Sequence, residues 1–258
     1  MVKITFMKRY LPLISKISPL LIFLLMEYLV QDLSRISYLI SISLVLVIFS
    51  VWGVKTRKDT DIKWYIFLIF PVLLELSFTT YLVMEPISPT PHYLILVNSV
   101  ILYFYFRTLR SFFSGIDKGV SLNNITIFGN FILVFFMASS VYGLQSFLRF
   151  PVFVLMAFFS VFLALVVYSV MYVNKVDNRV SIFYVLIVCL IMIELAWSVY
   201  FLPVSYKVSG MVLAVCYYMV MGLSRHHLAE TLNSKTVKLY FGFGFLSILI
   251  ILLTSRWI

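Results

Sequence analysis

Long apolar runs separated by short polar breaks make up almost the whole chain. Nine runs come close to the length of helix that crosses a bilayer core, about 17–25 residues. They are Ile17–Leu33, Ile36–Val54, Trp64–Val83, Tyr93–Phe113, Ile125–Phe147, Pro151–Val173, Ser181–Phe201, Val208–Leu223 and Val237–Thr254. Inside them the apolar residues are continuous, as in "SISLVLVIFSVWGV", and lack the two-residue alternation of a membrane barrel strand. The expected class is all-α, a polytopic helical membrane protein forming one integral membrane domain over residues 1–258. The eighth run is the shortest, and the first is extendable back to Tyr10.

Before the first run, "MVKITFMKRYLPLISK" sets four basic residues among apolar ones. It reads as an amphipathic segment over residues 1–16, lying along the inner interface. No small-residue cleavage site follows the first run, so that run reads as an uncleaved anchor.

Composition supports lipid as the solvent. Of 258 residues, 63% are hydrophobic and 12% charged, and the mean hydropathy is +1.07. A soluble domain is nearer half apolar and a quarter charged. The cations are sorted by side. If the runs cross in turn, sixteen of the 20 Lys and Arg fall on the side of the N-terminus, leaving Arg35, Arg149, Lys207 and Arg256 on the other. That bias predicts a cell-membrane protein with a cytoplasmic N-terminus and an extracytoplasmic C-terminus. The net charge of +10 therefore points to anionic lipid headgroups at the cytoplasmic face, and no nucleic-acid partner is expected. The longest connections, "RTLRSFFSGIDKGVSLNN" and "SRHHLAETLNSK", are too short to be domains.

Two runs carry the same local pattern. "LLELSFTTY" places Glu75 in the third and "MIELAWSVY" places Glu194 in the seventh, each followed by Leu, a hydroxyl residue four positions on and Tyr six positions on. The flanking loops correspond loosely, and a span rich in aromatics and ending in arginine follows each. This predicts a tandem parallel repeat. Residues 17–113 form the first four-helix unit and 125–223 the second, with 237–254 as an appended ninth span.

Glutamate inside a span is costly, at least about 2.5–3.5 kcal/mol when ionised. From the helical rise, Glu75 and Glu194 lie roughly 17 and 20 Å from the inner ends of their spans, and Glu27 is similarly deep in the first. Thr79 and Ser198, four residues on, share the carboxyl faces. Pro71 removes a backbone donor and frees the Phe67 carbonyl, so an irregular helix with an open carbonyl is expected beside Glu75. Basic partners are scarce at this depth. The candidate proton, cation or substrate site is therefore Glu75, Glu194, Thr79, Ser198 and Glu27. The bland counterpart is a set of acids that each hold one neighbouring helix. A secondary group of Gln31, Asp32, Glu85, Pro203 and Lys207 lines the outer ends, with His92 as a lone histidine.

Other chemistry finds little support. "RHHLAE" offers His226, His227 and Glu230, with His226 and Glu230 one turn apart, but the only other histidine, His92, is expected on the opposite side, so the motif reads as a helix end with favourable cations. Asp59 and Asp61 in "KDTD" are crowded by lysines and make a poor magnesium site. Cys189 and Cys216 lie within spans, outside any Cys-x-x-Cys pair, and read as small hydrophobes. Asn124–Thr126 fits a glycosylation acceptor on the wrong side of the membrane. Gly242 and Gly244 lack the spacing of close helix dimers. Trp52, Trp64 and Trp257, near span ends, read as an interfacial belt. No nucleophile elbow, zincin motif, phosphate loop or dinucleotide fingerprint occurs. No metal or other cofactor is expected, and enzymatic activity is disfavoured. The functional expectation is a small transporter or permease-like protein taking an ion or small molecule. The alternative is a non-catalytic scaffold, or a subunit in contact with other membrane subunits.

Overall fold

The computed structural model of the chain describes residues 2–54, 63–86, 88–114 and 122–255, with side chains described from Ile14 onward except Leu33. Among the described residues the fold is all-helical. The helices are α1 (Val2–Gln31), α2 (Ile36–Val54), α3 (Ile66–Val83), α4 (Thr90–Ser114), α5 (Leu122–Leu148), α6 (Val152–Val173), α7 (Asn178–Tyr200), α8 (Tyr206–Leu228) and α9 (Ser234–Thr254). All nine are long and apolar enough to cross a membrane.

Helix α1 runs unbroken from Val2 through Pro12 and Pro19, and its stretch long and apolar enough to cross a membrane is Ile14–Gln31. One boundary differs from the reading of the sequence. The eighth helix is not the shortest. At 23 residues it continues through Arg225, His226 and His227, where polarity ends the apolar run but not the backbone ladder.

The chain divides into two compact units, Met1–Gly129 and Asn130–Ile258. In the first, α1 packs against α2 and α4, and α2 against α3. The buried face of α1 recurs at helical spacing through Ser15, Ser18, Ile22, Met26 and Leu29. Helix α3 buries residues around much of its circumference, which suits a run that is apolar on all sides. Several hydroxyl groups are satisfied within their own helices. Ser50, Ser77, Thr80 and Ser99 each donate to a carbonyl four residues earlier, the common solution where no water is available.

Pro71 and Pro19 each leave a carbonyl with no helical donor, and α4 answers both. Pro71 lacks the N–H that would bond Phe67, and the Tyr105 hydroxyl donates to the Phe67 carbonyl at 2.7 Å. Pro19 does the same to Ser15, whose carbonyl accepts a longer bond, 3.5 Å, from Arg110 Nη2. The open carbonyl expected beside Glu75 is thus closed: it is occupied by a side chain of the next helix.

In the second unit, α6 packs on α7, α7 on α8 and α8 on α9. Helices α6 and α8 end in paired reversals. The Lys175 N–H reaches the Tyr172 carbonyl and the Val176 N–H the Met171 carbonyl, and Glu230 and Thr231 repeat this on His227 and His226. Lys175 and Glu230 both take φ 56° there, the left-handed region that glycine enters at least cost. Asp177 then caps α7 by accepting from the Arg179 N–H, and Asn233 caps α9 by accepting from the Thr236 N–H. Gly210 lets α8 approach α5, because a Cβ there would stand 2.8 Å from the Ser139 backbone nitrogen. Gly244 receives the Met219 side chain, whereas Gly242 faces open space.

Candidate functional site

Glu75 lies near the middle of α3, roughly 14 Å along the axis from Ile66. Its side chain is 1% exposed. Asn98 of α4, fully buried, donates from Nδ2 to Glu75 Oε1 at 2.9 Å. Glu75 Oε2 and Asn98 Oδ1 are both buried without a hydrogen-bond partner. The apolar surroundings at this level of the unit include Leu74, Phe78, Leu102 and Met26, each fully buried. Thr79 donates from Oγ1 to the Glu75 carbonyl at 2.7 Å and rests 3.8 Å from Met26 Sδ of α1. Its hydroxyl therefore serves the backbone and contributes no hydrogen bond to the carboxyl. The arrangement is one acid, one amide, and two acceptor oxygens that need a donor.

Glu27 is not deep in its helix. It stands four residues before Gln31, roughly 6 Å from the end of α1. His92, in the first turn of α4, meets it with Nδ1 2.6 Å from Oε2. The pair is half open, with His92 50% and Glu27 22% exposed. His92 is thus not alone.

Glu194 and Ser198 are in the second unit and are both exposed. Ser198 donates to the Glu194 carbonyl at 2.9 Å, the same local bond that Thr79 makes to Glu75. Glu194 is roughly 9 Å from the end of α7 at Tyr200. The two stretches therefore share a backbone arrangement, while their carboxyls occupy different environments. Tyr142 of α5 donates to the Ala196 carbonyl at 2.7 Å, which pins α7 on the face away from Glu194.

The remaining motifs are accounted for locally. His226 contacts Thr231 Oγ1 at 2.9 Å, and its ring lies 5.6 Å from Tyr240. The His227 ring lies 6.4 Å from Tyr184. No three metal-ligating side chains gather among the described residues. Asp32 pairs with Arg35 at 3.1 Å, and Lys207 lies over Tyr206. Lys55, Arg57, Lys58, Asp59, Asp61, Lys118, Arg256 and Trp257 lie outside the described residues, as do the side chains of Lys3, Lys8 and Arg9.

Asn98 was missed from sequence although its signal was present, a lone amide in the apolar run "LILVNSVIL". Residues 35–254, from the turn after α1 to the end of α9, match one family model. The chain belongs to the family described as "Protein of unknown function (DUF5656)". The DUF5656 match includes Glu75, Thr79, Asn98, Glu194 and Ser198, but begins after Met26 and Glu27. No curated protein and no solved structure matches the chain.

Proposed function

We propose that the chain is a small proton-coupled permease-like protein of the cell membrane, with Glu75 as its proton-binding group. The observation that carries this is the pair of orphan oxygens on Glu75 and Asn98. An ionised carboxylate holding one hydrogen bond in apolar surroundings bears a penalty of several kcal/mol. One proton on Oε2 supplies the missing donor and turns acid and amide into a mutual pair of hydrogen bonds. The oxygen count favours a proton over a metal cation: calcium takes about six to eight oxygens, and this site leaves two unpartnered. The test is proton uptake by vesicles containing the purified protein and an internal pH dye, under an imposed pH gradient. Glu75→Gln abolishes uptake while the protein stays folded. Unchanged uptake in Glu75→Gln overturns the reading.

The tandem repeat belongs to this reading through the matched stretches and their matching hydroxyl-to-carbonyl bonds. Orientation with the N-terminus inside rests on the Lys and Arg distribution, and a C-terminal reporter active only outside the cytoplasm checks it.

A second reading, a subunit of a larger membrane complex, is favoured by Glu194. It is an exposed acid on a helix whose exposed residues include Phe183, Leu186 and Leu190. A carboxyl facing lipid is costly, and a partner helix offering a donor would remove that cost. A photo-crosslinking residue at Leu190 in native membranes yields a discrete protein adduct on this reading. Lipid adducts alone exclude it.

A further inference from the structure

The Glu27–His92 pair joins an acidic and a basic side chain of two different helices. We infer that it is the proton-loading station of the Glu75 site, and that the Met26 side chain beside it is the plug between station and site. This inference rests on the proton reading given for Glu75.

The geometry runs along two helices. On α4, His92 precedes Asn98 by six residues, roughly 9 Å of axial rise. Ile95, fully buried, stands between them. On α1, Glu27 follows Met26, whose sulfur rests against Thr79 Oγ1, and Thr79 is bonded to the Glu75 backbone. One turn of α1 thus carries both the group that meets water and the group that seals the acid. Met is suited to sealing because its unbranched thioether repacks at little cost.

The step moves a proton and makes no covalent bond to carbon. Water delivers one proton to Glu27 Oε2 beside the His92 imidazolium, and the neutral carboxyl no longer attracts the charged ring. When the pair loses its mutual attraction, the end of α1 is released from α4 and Met26 withdraws from Thr79. Water admitted along Ile95 then passes the proton to Glu75 Oε2. The other charged or titratable groups at this end include Tyr28 and Asp32 after Glu27, Arg35 and Tyr38 at the start of α2, Tyr81 and Glu85 at the end of α3, and Tyr93 beside His92. Asp32 and Arg35 are bonded to each other, and Arg35 also lies over the Tyr28 ring.

Two measurements on the full chain test this. The first is the vesicle uptake assay with Glu27→Gln and His92→Gln. Each slows uptake by about a hundredfold, the low end of what a positioned proton-transfer group contributes, while Glu75→Gln abolishes it. If Glu75→Gln abolishes uptake and the other two leave it unchanged, the station falls and the Glu75 reading stands. The second needs no transport. A water-soluble carbodiimide labels Glu75, read by mass spectrometry, with Glu75→Gln as blank. Loosening the latch in His92→Gln raises the labelling rate, and enlarging the plug by Met26→Phe lowers it in that same background. Labelling that is identical in wild type, His92→Gln and the double variant overturns the inference, whether or not the protein carries protons.

Discussion

Replacing Tyr105 by Phe removes one oxygen and leaves the ring. That ring is 1% exposed and packs 4.7 Å from the Phe70 ring, so its aromatic contacts survive the change. What is lost is the donor to the Phe67 carbonyl, which Pro71 has already deprived of its helical partner. An acceptor left unsatisfied in a buried, water-free place costs about 1–3 kcal/mol. Hydrogen bonds measured within membrane bundles average nearer 0.6 kcal/mol, with a maximum of about 1.7. A loss of about 1–2 kcal/mol is therefore expected, a factor of roughly 5–30 in the folding constant. The assay is reversible unfolding in mixed micelles, run as a double-mutant cycle with Pro71→Ala. Alanine restores the N–H that bonds Phe67, so Tyr105→Phe in that background costs no more than about 0.5 kcal/mol. Equal costs in both backgrounds would refute the claim that the hydroxyl is there to cap a proline-freed carbonyl.

Three further outcomes follow from the packing and the turns. Gly210→Ala drives a Cβ against Ser139, including its backbone nitrogen at 2.8 Å, and destabilises by about 1–3 kcal/mol; Gly242→Ala, which meets nothing within 4 Å, is neutral or stabilises by up to about 1 kcal/mol in the same unfolding assay. Lys175→Gly and Glu230→Gly relieve left-handed backbone at two helix ends and each raise stability by up to about 1 kcal/mol, whereas the same change at Asn174, with φ −80°, does not. The Ser34 hydrogen bonds, with Arg35 beside them, hold the exposed Asp32 carboxyl below its ordinary range. A depressed carboxyl contributes stability above its unfolded value and loses it as pH falls through the folded one, so Asp32→Asn flattens the stability profile below about pH 4 and leaves its alkaline side unchanged.

The helices were legible because length and unbroken apolarity mark a helix able to cross a membrane, and "SISLVLVIFSVWGV" announces both. Their ends were less so. The end of α8 at Leu228 is set by backbone bonds from Glu230 and Thr231, and nothing in "SRHHLAET" carries the glycine that usually marks such a turn. Glu75 was visible as a charge in an apolar run, and its polar partner on α4 was detectable by the same rule. Partners distant in sequence were not visible: Glu27 and His92 are 65 residues apart, and Tyr105 looks like one more aromatic in "ILYFYFR". Glu194 marks the limit of local likeness. Its stretch resembles that of Glu75 and makes the same hydroxyl bond, but burial depends on which helices arrive alongside, and a nine-residue match does not encode that.

The family match starts one residue before α2, yet the helix ahead of it fills a seam along α2 and α4. A protein trimmed to residues 35–254 would open a trough where Ile22, Met26 and Leu29 now sit. It would also strip His92 and Arg110 of the groups they hold, so the leading helix has to be kept in any truncated form meant to preserve the first unit.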